Sequence, residues 1–106
     1  MENINEKSRK EILSICSKVI ENHLGIIEAS RILADYRDNY LGITNYDDIL
    51  LFDEIKSETD SLPIGKERDM WNKKVLEEKD KEIRKIEAKY RDRVLKACNR
   101  LLEEMR

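Results

Sequence analysis

Of several residue types this 106-residue chain has almost none: one proline, one tryptophan, one histidine, two cysteines and three glycines. Three scattered glycines cannot build the backbone cradle of a phosphate-binding loop. One histidine and two distant cysteines provide neither zinc-ligand spacing nor a nucleophile–base–orienter set. No apolar run approaches the roughly 18 residues of a membrane-spanning helix, and the start MENINEKSRKE is charged rather than leader-like. These absences predict a soluble, cytoplasmic chain with no cofactor, no metal and no catalytic residue. In such a setting Cys16 and Cys98, both on apolar helix faces, read as free buried thiols rather than a disulfide.

What is abundant is charge, 42% of residues, beside 40% hydrophobic residues. The apolar residues recur at helical intervals, so the composition does not signal disorder. The length suits one domain, residues 1–106, with one modest core.

A first helix is expected over residues 4–24, capped by Asn3 with Glu6, or by Asn5. Its apolar stripe is Ile12, Ile15, Cys16, Val19, Ile20, His23 and Leu24, with His23 a packed or hydrogen-bonded residue at the core edge. Gly25 either ends that helix in the left-handed conformation or sits within a kink. A second helix is expected over 26–40, with Ala29, Ile32, Leu33, Tyr36 and Tyr40 on one face and Gly42 as its stop. Asn45 would cap a short helix containing Ile49, Leu50 and Phe52. From 53 to 71 no period persists, so an ordered loop is expected. A long helix, capped by Asn72, then spans 73–104, its inward stripe including Ile83, Ile86, Tyr90, Val94 and Leu101. Four acid-before-base pairs decorate its outside: Glu77–Lys81, Asp80–Arg84, Glu87–Arg91 and Asp92–Lys96. The expected fold is all-α: two antiparallel helices and a short one packed on the long C-terminal helix. Its core should hold Cys16, Val19, Leu33, Tyr36, Ile83, Ile86, Tyr90, Val94 and Leu101.

Charge is unevenly placed. Residues 28–62 carry nine acids and three bases, and residues 66–106 fourteen bases and ten acids. The acidic middle either steers a partner or folds against the basic C-terminal helix of the same molecule. Interleaved acids and a pI near 5.6 argue against nucleic-acid binding by the basic helix. A cation site from Asp53, Glu54, Glu58 and Asp60 is chemically conceivable, but nearby Lys56, Lys66 and Arg68 make a salt-bridged surface the simpler reading.

Residues 57–71, SETDSLPIGKERDMW, read as a folded corner. Thr59 or Ser57 can accept turn N–H bonds, Pro63 fixes the local geometry and Gly65 permits a positive φ. Arg68 is expected to pair with Glu58 or Asp60, and Trp71 to cover the core where the long helix starts. The corner serves as a plug for the open end of the bundle or as a recognition surface.

The pattern SETDxLPxGxxRxxW, followed by KDKEI, ExxYR and VLKACxxL and preceded by GIIEASRIL, resembles a family of small uncharacterised bacterial helical proteins. These segments span residues 25–101. Some members resemble immunity proteins that neutralise contact-dependent or polymorphic toxins, and no catalytic assignment accompanies the motif. The resemblance implies a protein-binding role with a cognate toxin, such as a nuclease, as partner. Asp35, Asp38, Asp47, Asp48, Asp53 and Glu54 are the candidate contact residues, because acids on a rigid scaffold mimic phosphate. The alternative is an adaptor that self-associates through the C-terminal helix, where Ile83, Tyr90 and Ala97 lie seven apart. A monomer or weak dimer is expected.

Overall fold

Four α-helices and one 3-10 turn make up the regular structure of the residues described by the computed structural model, 4–36 and 46–105. They are α1 (Ile4–Ile20), α2 (Ile26–Asp35), α3 (Tyr46–Thr59), the 3-10 turn Gly65–Met70 and α4 (Lys73–Met105). The all-α bundle with a long C-terminal helix is what forms.

Ion pairs and close approaches set the helix directions. Asp48, Glu54 and Glu58 of α3 meet Arg100, Arg93 and Lys89 of α4, so these helices are antiparallel. Asp35 meets Lys56 and Arg31 meets Thr59, which runs α2 against α3. Cys16 neighbours Cys98 while Gly25 approaches Glu87, which runs α1 against α4. The path is therefore up-down-up-down, the arrangement short connections favour. The 33 residues of α4 span the long dimension of a 50 × 26 × 24 Å molecule.

One hydrophobic core lies between the helices, built around Ile12, Leu33, Phe52, Ile55, Tyr90 and Leu101. Cys16, Val19, Ile83, Ile86 and Val94 are buried with them, and Tyr36 packs against the cluster half-buried. On α4 the buried positions run from Ile83 to Leu102, while Lys73–Glu82 is largely exposed. Asn72 caps this helix as expected, its Oδ1 accepting the Lys74 N–H at 2.8 Å.

The sequence expectations need correction at several points. Helix α1 ends at Ile20, and Asn22, with φ 62°, takes the left-handed position. His23 N–H bonds to Lys18 O at 2.8 Å and Asn22 N–H to Val19 O at 3.1 Å, the paired closure of a Schellman motif. Gly25 is instead the extended N-cap of α2, so the break is real but three residues earlier. This turn carries His23 outward: its side chain is 70% exposed and faces Glu21, not the core edge. On α2, Ile32 faces outward and Ser30 is buried, its hydroxyl donating to Ile26 O at 2.6 Å. The first stretch of the expected 53–71 loop, residues 53–59, is helix, since α3 continues to Thr59. None of the four outer-face pairs on α4 is among the ion pairs between described residues; Asp80 is drawn to Arg68 instead. Asn3, Asp38, Tyr40, Gly42 and Asn45 lie outside the described residues.

Candidate functional site

Helix α3 carries two stripes of different character. Asp48, Leu51, Phe52, Ile55 and Thr59 recur at three- and four-residue steps and are all buried. Asp47, Leu50 and Glu54 follow the same rhythm on the neighbouring strip and face solvent, with Leu50 47% exposed. The inward strip contains two polar residues, and both are satisfied. Thr59 donates its hydroxyl to Ile55 O at 2.7 Å. Asp48, 1% exposed, accepts from Arg100 Nη2 and, at 3.3 Å, from Arg100 Nε. A buried carboxylate without such a fork would be strongly destabilising.

Further along the same seam, Glu58 accepts hydrogen bonds from the Tyr90 hydroxyl and, at 3.4 Å, from Lys89 Nζ. The Tyr90 hydrogen bond, helped by Lys89, holds the Glu58 carboxyl below its ordinary range. Burial, then the Glu58 carboxylate, push the Tyr90 hydroxyl above its own. Lys89 and Arg93 lie 4.9 and 5.5 Å from the Tyr90 ring centre, within cation–π range. Glu54 faces Arg93 at 3.6 Å, both side chains more than half exposed. Such a pair contributes about 0–1 kcal/mol.

The six candidate contact acids therefore separate. Asp48 is consumed in the core. Asp35 is exposed at the end of α2 and bound to Lys56 at 2.6 Å, an interaction that raises the Lys56 pKa. Asp53 is half-buried. Asp38 is outside the described residues. Asp47 and Glu54 stand at the surface on either side of Leu50, edging an open groove of about 600 Å³ lined also by Leu51 and Arg93. A smaller recess of about 140 Å³ adjoins it, bounded by Asp47, Asp48, Lys96 and Arg100.

The 57–71 corner is held differently from expectation. Arg68 does not reach Glu58 or Asp60 but forks onto Asp80 of α4, at 2.7 and 3.0 Å. That guanidinium holds the Asp80 carboxyl below its ordinary range. Asp60 is exposed and Pro63 is buried. Gly65 has φ 67°, the left-handed conformation that favours glycine, and a Cβ there would sit 3.2 Å from Glu28 Oε1, so that flexible side chain would have to shift slightly. Trp71 keeps 37% exposure and Met70 90%, so this end of the corner covers less core than the tryptophan promised.

Arg31 is the organising residue that sequence reasoning missed. Its guanidinium donates to Thr59 Oγ1 at 3.3 Å, to the Thr59 carbonyl, to Leu62 O at 3.1 Å and to Glu67 Oε1 at 3.3 Å. It thus satisfies the exposed carbonyl end of α3, where a cation is also favoured by the helix dipole. Glu67 in turn accepts the Ile64 N–H at 2.8 Å, a bond that lowers its pKa. Its place as one of three bases among the nine acids of residues 28–62 was the available signal. For the α3–α4 seam the signal was register: read antiparallel, Asp48, Glu54 and Glu58 step along with Arg100, Arg93 and Lys89.

Among the described residues no helix is long and apolar enough to cross a membrane, and no three His, Cys, Asp or Glu side chains converge to hold a metal ion. In comparison with known proteins, no family model, no curated protein and no solved structure matches this chain.

Proposed function

We propose that this chain is a cytoplasmic protein-binding inhibitor of the immunity type, which neutralises a bacterial toxin of the nuclease class by covering its active site. The observation that carries the reading is the ridge Asp47–Leu50–Glu54 on α3: an exposed apolar side chain between two exposed acids, beside an open groove. An apolar anchor flanked by charge is the anatomy of an interface centre and its rim. Two carboxylates on a helix braced from behind by Asp48–Arg100 offer a basic substrate groove a rigid phosphate mimic. The motif at 57–71 supports the same reading by resemblance, and physically it braces the far end of α3 through Arg31.

The acidic surface is smaller than the sequence promised. Much of the acidity of the middle segment is answered inside the molecule, Asp48 by Arg100, Glu58 by Lys89 and Asp35 by Lys56, and Glu54 itself meets Arg93 only in an exposed pair, which narrows the contact set among the described residues to Asp47 and Glu54. Co-expression with the protein encoded by the adjacent gene tests the proposal. A complex should survive gel filtration, and Asp47→Lys with Glu54→Lys should weaken it at least ~10-fold while the variant stays folded with only a small fall in Tm. No complex, or one indifferent to the reversal, contradicts it.

Self-association through α4 is the second reading. Ile83, Tyr90 and Ala97 are buried within the monomer, so a second copy would have to use Met70, Trp71 and Val75, which stay exposed where α4 begins. Sedimentation of the wild type beside Trp71→Ser distinguishes the two: a dimer lost in the variant supports the adaptor.

A further inference from the structure

The chain holds two cysteines, at opposite ends of the sequence, and the fold brings both to one place. Cys16 on α1 and Cys98 on α4 are each 0% exposed, both are free thiols, and they belong to one core cluster between two helices packed on each other, near enough for one thiol to perturb the other. Neither α2 nor α3 carries a competing thiol. We propose that Cys16 and Cys98 form a latent cross-linking site: with a low-molecular-weight disulfide as oxidant they close to one cystine that tethers α1 to α4.

The chemistry balances without any other reactant. One protein thiolate attacks the small disulfide, forming a mixed disulfide and releasing one small thiol. The second protein thiolate attacks the protein sulfur of that mixed disulfide, forming the Cys16–Cys98 bond and expelling the second small thiol. Two electrons pass from the protein to the oxidant, and the two thiol protons end on the released thiols.

Burial controls when this happens. Solvent reaches neither sulfur, and the Cys98 thiol, then burial, hold the Cys16 thiol far above the ordinary thiol range, so the closed fold is unreactive. Attack on the oxidant passes through opened chains. Folding then supplies the second step by holding one sulfur against the other. By linkage, the factor by which folding raises the effective concentration of one thiol at the other equals the factor by which the cystine raises the folding constant. The bond would close a loop of about 80 residues, which constrains the unfolded chain more than the folded one.

Glutathione redox buffers provide the test. The intact protein is equilibrated in native buffer and in 8 M urea, approaching equilibrium from the reduced and the oxidised side, then quenched by alkylation and weighed. The site predicts an intramolecular cystine with an effective concentration at least ~100-fold higher in native buffer than in urea, and a higher Tm for the cross-linked protein. Cys16→Ser and Cys98→Ser should each give only a glutathione adduct, and only in urea. An effective concentration equal or lower in native buffer overturns the proposal, as does a product dominated by glutathione adducts or by cross-linked dimers.

Discussion

Helix α4 is held on two sides by different forces. Towards α1 the seam is apolar, with Ile12, Cys16 and Val19 buried alongside Val94, Ala97, Cys98 and Leu101. Towards α3 the direct contacts are fewer, and charge bridges them: Asp48–Arg100, Glu54–Arg93, and Glu58 with Lys89 and Tyr90. An apolar seam gains free energy by removing area from water and tolerates no gap. A charged seam gains little where it is wet, yet it specifies register and leaves an open groove beside it. The difference teaches why the proposed interaction surface is placed on α3: of these two seams, the one that packs less tightly has side chains left at the surface.

Truncation on the apolar side should have the largest effect. Leu101→Ala, at a fully buried site, should cost about 3 kcal/mol by urea denaturation, a Tm fall of roughly 10–20 °C. A loss below about 1 kcal/mol would mean the seam is looser than described. On the charged side, Arg100→Met removes the guanidinium from buried Asp48. It should cost about 2 kcal/mol, less than a fully buried pair because the Arg100 side chain is 43% exposed. At the corner, Gly65→Ala forces a side chain into a positive φ and should cost about 1 kcal/mol, read by the same denaturation.

Acid should affect the charged contacts and spare the apolar ones. Glu58 and Asp80 both titrate lower in the folded chain than their ordinary values of 4.5 and 3.8. The stability they contribute is therefore present above those values and is lost as pH falls through the lowered folded ones. Glu58→Gln should flatten the acid limb of a plot of stability against pH, and an unchanged limb would remove Glu58 from the seam. Smallest of all, Glu54→Gln should change stability by about 0.5 kcal/mol or less, and less still in high salt.

The sequence made the helices of the apolar seam legible and obscured those of the charged one. Helix α4 declared itself through a long stripe and the Asn72 cap, and α1 through Ile12, Cys16 and Val19. Helix α3 was half hidden because Asp48 and Thr59 occupy inward positions while Leu50 points out, so no apolar period survives in YDDILLFDEIKSET. Its burial depends on partners far along the chain, Arg31 for Thr59 and Arg100 for Asp48, which no local pattern announces. The end of α1 misled for a related reason: Asn22, not the more permissive Gly25, took the left-handed turn. Acidity of the middle segment was plain in the composition. Which acids remain outside depended on the helix register, and of the candidate contact acids on α3 Asp47 and Glu54 keep that place.

Double-mutant cycles on the two arginine pairs of the charged seam test that division most directly. For Asp48→Asn with Arg100→Met the coupling in stability should be about 1.5 kcal/mol or more, and for Glu54→Gln with Arg93→Met about 0.5 kcal/mol or less. Equal couplings would contradict the account, for the acids of α3 would then not divide into one that holds the fold and another whose weak surface pair leaves it available to the proposed partner.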